Sequence, residues 1–228
     1  ELRGQLVAMA DDGHNGLGED VTGTSGRDHL LGLDGNDFMQ GLAGADILDG
    51  GDGEDQVHYR DPATGVNVNM ATGVNTGGDA EGDVLINIEG VGGSDHNDTI
   101  VGDASDNHLG GGAGSDLLEG GAGADLIGGG SDGISGSDTA SYAGSSAAVN
   151  VNLSTYSGTG GDAEGDEIYN IENLIGSAHD DTLTGNSGNN RLTGGAGTDT
   201  AVFAGNYADA GIFTGPGTYE LAVETATG

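Results

Sequence analysis

Residues 23–58 read GTSGRDHLL, GLDGNDFMQ, GLAGADILD and GGDGEDQVH, which are four contiguous blocks of nine residues. Every block has glycine at positions 1 and 4, aspartate at position 6 and an apolar residue at position 8. A fixed short period predicts a repeat architecture in which each block adopts the same local structure. The residues at position 6 and at position 8 are Asp28, Asp37, Asp46 and Asp55, and Leu30, Met39, Leu48 and Val57.

Two further runs of nonapeptides follow, at residues 93–141 and 176–202. The second run ends in a block that is interrupted by four extra residues, 132–135. A longer period lies over the short one, because segments such as GGDAEGD (from Gly77 and again from Gly160) recur 83 residues apart. Position 6 of these two runs is held by Asp98, Asn107, Asp116, Asp125, Asp138, Asp181, Asn190 and Asp199.

The nonapeptide predicts one turn followed by one short strand. Glycine supplies the backbone conformations of the turn, and position 8 suits a strand side chain that points inward. Two blocks then complete one coil of a flattened parallel solenoid, so turns that are 18 residues apart stack on the same edge. The expected pairs are Asp28 with Asp46, Asp37 with Asp55, Asp98 with Asp116, Asn107 with Asp125, Asp181 with Asp199 and, across the insertion, Asp116 with Asp138.

Stacked aspartates with exposed turn carbonyls between them predict binding sites for a hard cation. Calcium accepts 6–8 oxygen ligands with tolerant geometry, whereas zinc prefers nitrogen and sulfur and magnesium retains its waters. The pattern therefore predicts several Ca²⁺ ions, held by the position-6 residues. Asn107 and Asn190 offer an oxygen without a charge, so we expect weaker sites there. The acids of the two GGDAEGD segments are equally consistent with further cation sites and with plain acidic loops.

The blocks GGAGSDLLE and GGAGADLIG (residues 111–128) resemble the calcium-binding nonapeptide of the RTX (repeats-in-toxin, haemolysin-type) family of bacteria. The resemblance implies an all-β fold, a right-handed parallel β-roll or β-solenoid with calcium-stacked turns and little or no helix. It also implies a secreted, extracellular bacterial protein that leaves the cell by type I secretion and folds on calcium outside it.

The repeats divide the chain into segments. We expect a lead-in or upstream boundary at 1–22, rolls at 23–58, 93–141 and 176–202, spacer strands at 59–92 and 142–175, and the start of a truncated C-terminal cap at 203–228. In the spacers, Val66, Val68 and Met70 alternate with asparagines, which predicts a half-buried strand that continues the solenoid.

The charge of the chain bears on its partners. It has 38 acidic residues against four arginines and no lysine, for a net charge of -34. Such a charge opposes compaction until cations neutralise it. It excludes nucleic acid as a partner and disfavours anionic membranes, since both need clustered basic residues. No run is apolar enough for membrane insertion.

We therefore predict a non-catalytic calcium-binding module that folds on calcium and assists structure and secretion, and this prediction leaves open the enzymatic activity of its parent protein. One alternative is a carbohydrate-binding accessory or adhesin segment with extracellular polysaccharide as partner, although the six tyrosines form no evident row. Another is part of a secreted hydrolase or polysaccharide-modifying enzyme. Residues 129–133 match GxSxG, but no helical pattern follows, as a nucleophile elbow requires.

Overall fold

The computed structural model describes residues 6–9, 18–60, 63–130, 136–204, 212–214 and 218–224. The predicted lead-in and cap segments fall largely outside these residues, as do the insertion at 132–135 and most of the GxSxG segment. The described residues form short β-strands joined by turns, with two single-turn 3₁₀ helices at Gly78–Ala80 and Gly161–Ala163. They contain no α-helix, and so none that could cross a membrane.

The strands assemble into three sheets. The twelve-stranded sheet contains, in spatial order, β2 (Asp20–Thr22), β4 (Phe38–Gln40), β6 (Gln56–His58), β9 (Gly90–Gly92), β11 (His108–Gly110), β13 (Leu126–Gly128), β17 (Glu167–Tyr169), β16 (Ser157–Thr159), β15 (Asn150–Asn152), β19 (Thr182–Thr184), β21 (Thr198–Ala204) and β23 (Thr218–Glu224). The seven-stranded sheet contains β7 (Asn67–Asn69), β10 (Thr99–Val101), β12 (Leu117–Glu119), β14 (Thr139–Ser141), β18 (Asn173–Ile175), β20 (Arg191–Thr193) and β22 (Ile212–Thr214). The four-stranded sheet contains β1 (Leu6–Met9), β3 (Asp28–Asp34), β5 (Ile47–Asp52) and β8 (Val84–Ile86).

The register of the strands confirms the predicted coil of two nonapeptides. Within the rolls the chain alternates between the twelve-stranded sheet and one of the smaller sheets. Neighbouring strands are parallel and offset by 18 residues, as in the pairs Leu30 with Leu48 and Leu109 with Ile127. The fold is therefore the parallel β-roll that the sequence predicts.

The core of the solenoid is one apolar side chain deep in each strand. The position-8 residues of all three runs are fully buried: Leu30, Met39, Leu48, Val57, Ile100, Leu109, Leu118, Ile127, Ala140, Leu183, Leu192 and Ala201. Their neighbours along each strand are partly or fully exposed in most cases, because successive side chains point to opposite faces. The inward residues of the facing sheets form a single cluster.

The two spacers continue the solenoid, but their corresponding strands lie in different sheets. In the first spacer, Val66 and Val68 are buried, Met70 packs at the rim, and β7 and β8 end the two smaller sheets. In the second spacer, β16 pairs antiparallel with both β15 and β17 inside the twelve-stranded sheet. Both spacers thus extend the roll, and their corresponding strands lie in different sheets, with β7 and β8 in the two smaller sheets and β15 and β17 in the twelve-stranded sheet.

Candidate calcium sites

The twelve position-6 residues lie inside the molecule. None is more than 8% exposed, although a solvent-exposed residue directly precedes each of them in the chain. A charged carboxylate leaves water only at a large free-energy cost, unless hydrogen bonds or a cation replace its hydration. Burial therefore excludes the interpretation that these aspartates form a solvated acidic surface.

In the predicted pairs, one carboxylate oxygen of the later residue is bound in a regular way. The Oδ1 atom of Asp46 accepts the backbone N–H of Asp28 at 2.7 Å, and Oδ1 of Asp55 accepts that of Asp37 at the same distance. The pattern repeats one coil apart, which stacks the carboxylates in columns along the edges of the solenoid. The remaining predicted pairs joined in this way are Asp98 with Asp116, Asn107 with Asp125, Asp116 with Asp138, and Asp181 with Asp199.

Spacer carboxylates continue these columns. The Oδ1 atom of Asp83 accepts the N–H of Asp46 at 2.8 Å, and Oδ1 of Asp166 accepts the N–H of Asp125 at 2.9 Å. Glutamates do the same on the other turns, since Glu89 accepts from Asp55 and Glu172 from Asp138. Sequence reasoning did not assign Glu89 and Glu172 to the columns. Their recurrence at the 83-residue period within Asn-Ile-Glu was the available signal.

Each GGDAEGD segment contributes one carboxylate to a column. Only the last acid of each segment, Asp83 or Asp166, is buried in a column. The glutamates Glu81 and Glu164 are exposed and instead accept the N–H of Gly77 and Gly160 within their own loops.

The second carboxylate oxygen of five roll aspartates differs from that of the spacer aspartates. In five roll residues it is buried and accepts no hydrogen bond, namely Oδ2 of Asp37, Asp46, Asp55, Asp125 and Asp199. In the spacers a buried tyrosine hydroxyl donates to it. Tyr59 Oη lies 3.1 Å from Asp83 Oδ2, and Tyr142 Oη lies 2.8 Å from Asp166 Oδ2.

These surroundings disfavour the ionised carboxylates while no cation is bound. Burial raises the pKa of Asp55 to about 6 and that of Asp125 to about 7, opposed in part by the backbone N–H that each accepts. Neighbouring carboxylates add to the increase, with Asp37 acting on Asp55 and Asp166 acting on Asp125. Burial also raises the pKa of Asp46, Asp98 and Asp199. A cation beside these groups would lower their pKa again.

Each unbonded oxygen lies over the position-1 glycine of its own turn. A Cβ atom on Gly32 would lie 2.5 Å from Asp37 Oδ2 and would collide with the carbonyl oxygen of Gly50, one coil later. Equivalent contacts involve the other position-1 glycines, for example Gly41 beside Asp46 Oδ2. The glycine therefore leaves room for a cluster of oxygen atoms, from the side chain and from the carbonyl of a stacked turn.

The donor set fits calcium. It consists of carboxylate oxygens and backbone carbonyls, with no thiolate and no converging imidazole. Among the described residues, no three His, Asp or Glu side chains converge on one point, so each site would rely on carbonyl ligands. Calcium accepts such mixed oxygen shells, and the buried oxygens without donors are what a bound cation would satisfy.

The structure thus brings every predicted pair together, one coil apart. The asparagines differ from the aspartates because each also uses its amide as a donor. Asn190 Nδ2 donates to the carbonyl of Glu172 at 3.0 Å, and Asn107 Nδ2 lies 3.4 Å from that of Glu89. The ligand role of the twelve residues remains a prediction.

Comparison with family models identifies the repeats. The model of the RTX calcium-binding nonapeptide repeat matches four copies, over residues 22–57, 92–127 and 170–201. No curated protein matches the chain significantly. The chain therefore carries RTX calcium-binding repeats, and repeats of this kind are structural and non-catalytic.

Proposed function

We propose, from the calcium-binding RTX repeats that the chain carries, that it is the calcium-folded module of a secreted bacterial protein. In a calcium-poor cytoplasm the charge of -34 keeps the chain expanded. Outside the cell, calcium fills the turns and orders successive coils, which serves structure and type I secretion. The twelve position-6 residues supply the side-chain ligands, and the segment boundaries given above mark the rolls and spacers.

The observation that carries this proposal is the set of buried Oδ2 atoms without a donor. Each is an anionic oxygen withdrawn from water, and the fold alone provides nothing to compensate it. The thin core cannot offset many such penalties, because each strand buries one apolar side chain. Ions that bind only the folded state would stabilise it by mass action.

The test is circular dichroism during a calcium titration, with magnesium as the matched control. We expect a cooperative gain of β signal with calcium and little change with magnesium, because magnesium does not readily exchange its waters for a carbonyl-rich shell. A chain that is already folded in chelator, and indifferent to calcium, would contradict the proposal.

One observation favours carbohydrate binding as a second function. Tyr156 and Tyr169 of the second spacer are 50% and 39% exposed, and their rings stack with centroids 5.3 Å apart. Exposed aromatic faces bind the apolar faces of sugar rings. A glycan array probed with the calcium-loaded chain and with Tyr156→Ala tests this function, which requires binding by the first and loss of binding by the second.

A further inference from the structure

The residue at position 2 of each nonapeptide divides the turns into two kinds. In the first kind, its backbone N–H donates to the side-chain oxygen at position 6, at 2.5–2.8 Å. We call these closed turns. The donors and acceptors are Thr24 to Asp28, Ser94 to Asp98, Asp103 to Asn107, Ser177 to Asp181, and Asn186 to Asn190.

Side chains reinforce the closed turns. The hydroxyls of Ser94 and Ser177 donate to the other oxygen of Asp98 and Asp181, at 2.9 and 2.8 Å. Both oxygens of these aspartates therefore have donors within their own turn. At every closed turn, position 2 is Ser, Thr, Asp or Asn.

In the second kind, the open turns, the position-2 residue has a positive φ and its N–H does not reach the aspartate. A positive φ at position 2 also occurs at Gly112 (101°) and Gly130 (153°), which precede Asp116 and Asp138. The residues that define the open turns are Leu33 (φ 77°), Leu42 (63°), Gly51 (102°), Gly121 (99°) and Gly195 (96°). They precede Asp37, Asp46, Asp55, Asp125 and Asp199, the same five residues whose Oδ2 is buried without a donor. A positive φ is unfavourable for leucine, so the open backbone at Leu33 and Leu42 is imposed by the surrounding turn.

The open turn is arranged for a cation. The reversed backbone at position 2 removes a donor from the carboxylate while the stacked carbonyls stay close. At Gly121 a Cβ would collide with the carbonyl of Asp103 in the preceding coil, and at Gly123 it would lie 2.5 Å from the carbonyl oxygen of Ser105. An oxygen-rich space with an unsatisfied carboxylate attracts a cation, whereas a closed turn already has its donors.

We propose that position 2 selects which turns bind calcium: the open turns bind an ion, and the closed turns are completed by their own hydrogen bonds. The proposal rests on the proposed function and narrows its sites. Both turns of the first coil in the second roll are closed, at Asp98 and Asn107, and so are both in the third roll, at Asp181 and Asn190. The coil that follows each spacer is therefore formed without its own ions, and the calcium-bound coils stack on it.

Two pairs of variants of the full chain test the proposal. Leu42→Ser places at an open turn a residue type that is found at closed turns, without adding a Cβ atom. Leu42→Ala is the control for the loss of the leucine side chain. Ser177→Gly removes the closing residue and permits a positive φ, and Ser177→Ala is its control for the lost hydroxyl. The measurement is the number of calcium ions bound per folded chain, by equilibrium dialysis at saturating calcium.

We expect Leu42→Ser to bind one ion fewer than the parent chain and Ser177→Gly to bind one ion more, with both alanine controls unchanged. Circular dichroism at saturating calcium must match the parent chain, and if Leu42→Ser does not fold, the Ser177 pair decides. Unchanged ion counts in the folded variants would overturn the role of position 2 while leaving calcium binding intact. A parent chain that binds no calcium would instead remove the proposed function.

Discussion

The turns of the rolls and those of the spacers share one column but complete their carboxylates differently. At Asp125, in the second roll, one oxygen accepts a backbone N–H and the other has no donor. At Asp166, the next residue of the same column, the second oxygen accepts the hydroxyl of Tyr142. The comparison teaches that Asp166 in the spacer is satisfied by the protein's own atoms, whereas Asp125 in the roll has an oxygen that a bound cation would satisfy.

Calcium removal should produce the largest difference in hydrogen-exchange rate between the rolls and the spacers. With excess chelator, we expect hydrogen exchange in residues 111–128 to accelerate by about 100-fold or more, since an ion present at 100 times its Kd stabilises the fold by about 2.7 kcal/mol. Amides near Tyr142 and Asp166 should accelerate less. Mass spectrometry measures the exchange in both regions. Equal acceleration would show that the spacers depend on calcium as much as the rolls.

Tyr142→Phe should make the spacer resemble the roll. It removes the donor to Asp166 and leaves a second oxygen buried without a partner, at a cost of about 1–3 kcal/mol in the free energy of unfolding. Thermal melts at fixed calcium measure the loss. Tyr156→Phe is the matched control, because that tyrosine is half exposed. A stable Tyr142→Phe chain would indicate that the hydroxyl is dispensable.

Acid should partly replace calcium in the rolls. The folded-state pKa of Asp125 is raised to about 7, above its unfolded value, so the chain without calcium gains stability as the pH falls through 7 and loses it as the pH rises. In chelator we expect more β signal at pH 5 than at pH 8. Protons also compete with the ion, so a site that titrates near pH 7 should bind calcium about tenfold more weakly at pH 6 than well above pH 7. Calorimetry at both values checks the affinity, and a flat profile would contradict the assigned shift.

The smallest effect is expected at the asparagine turns. Asn107→Asp adds a carboxylate beside Asp125, and calcium affinity increases with the charge of the ligand set, so we expect a several-fold tighter Kd, roughly three- to tenfold. Asp125→Asn is the reciprocal variant and should weaken binding. Titration calorimetry of the two variants measures the difference, and an unchanged Kd in both would place the ion elsewhere.

The sequence predicted the coil, the pairing and the core because these depend on spacing alone. The nine-residue period by itself predicts the 18-residue register and the inward direction of position 8, for example at Leu30 and Leu48. The hydrogen-bond partner of the second carboxylate oxygen, or its lack of one, could not be predicted in this way. The contact of Tyr59 with Asp83 joins residues 24 apart that lie outside the nine-residue period, and the open turn at Leu42 depends on a positive φ that propensity disfavours. The placement of the two spacers in different sheets also has no signal in their nearly identical motifs.

The parallel stacking has a mechanical consequence. Each roll coil contacts mainly the coils 18 residues before and after it, so a force applied to one end loads a single interface at a time. The chain should yield coil by coil instead of all at once, each step releasing roughly 60 Å of extended polypeptide. A tethered module of this kind would unfold under force in discrete steps, and bound calcium would set the force needed for each step.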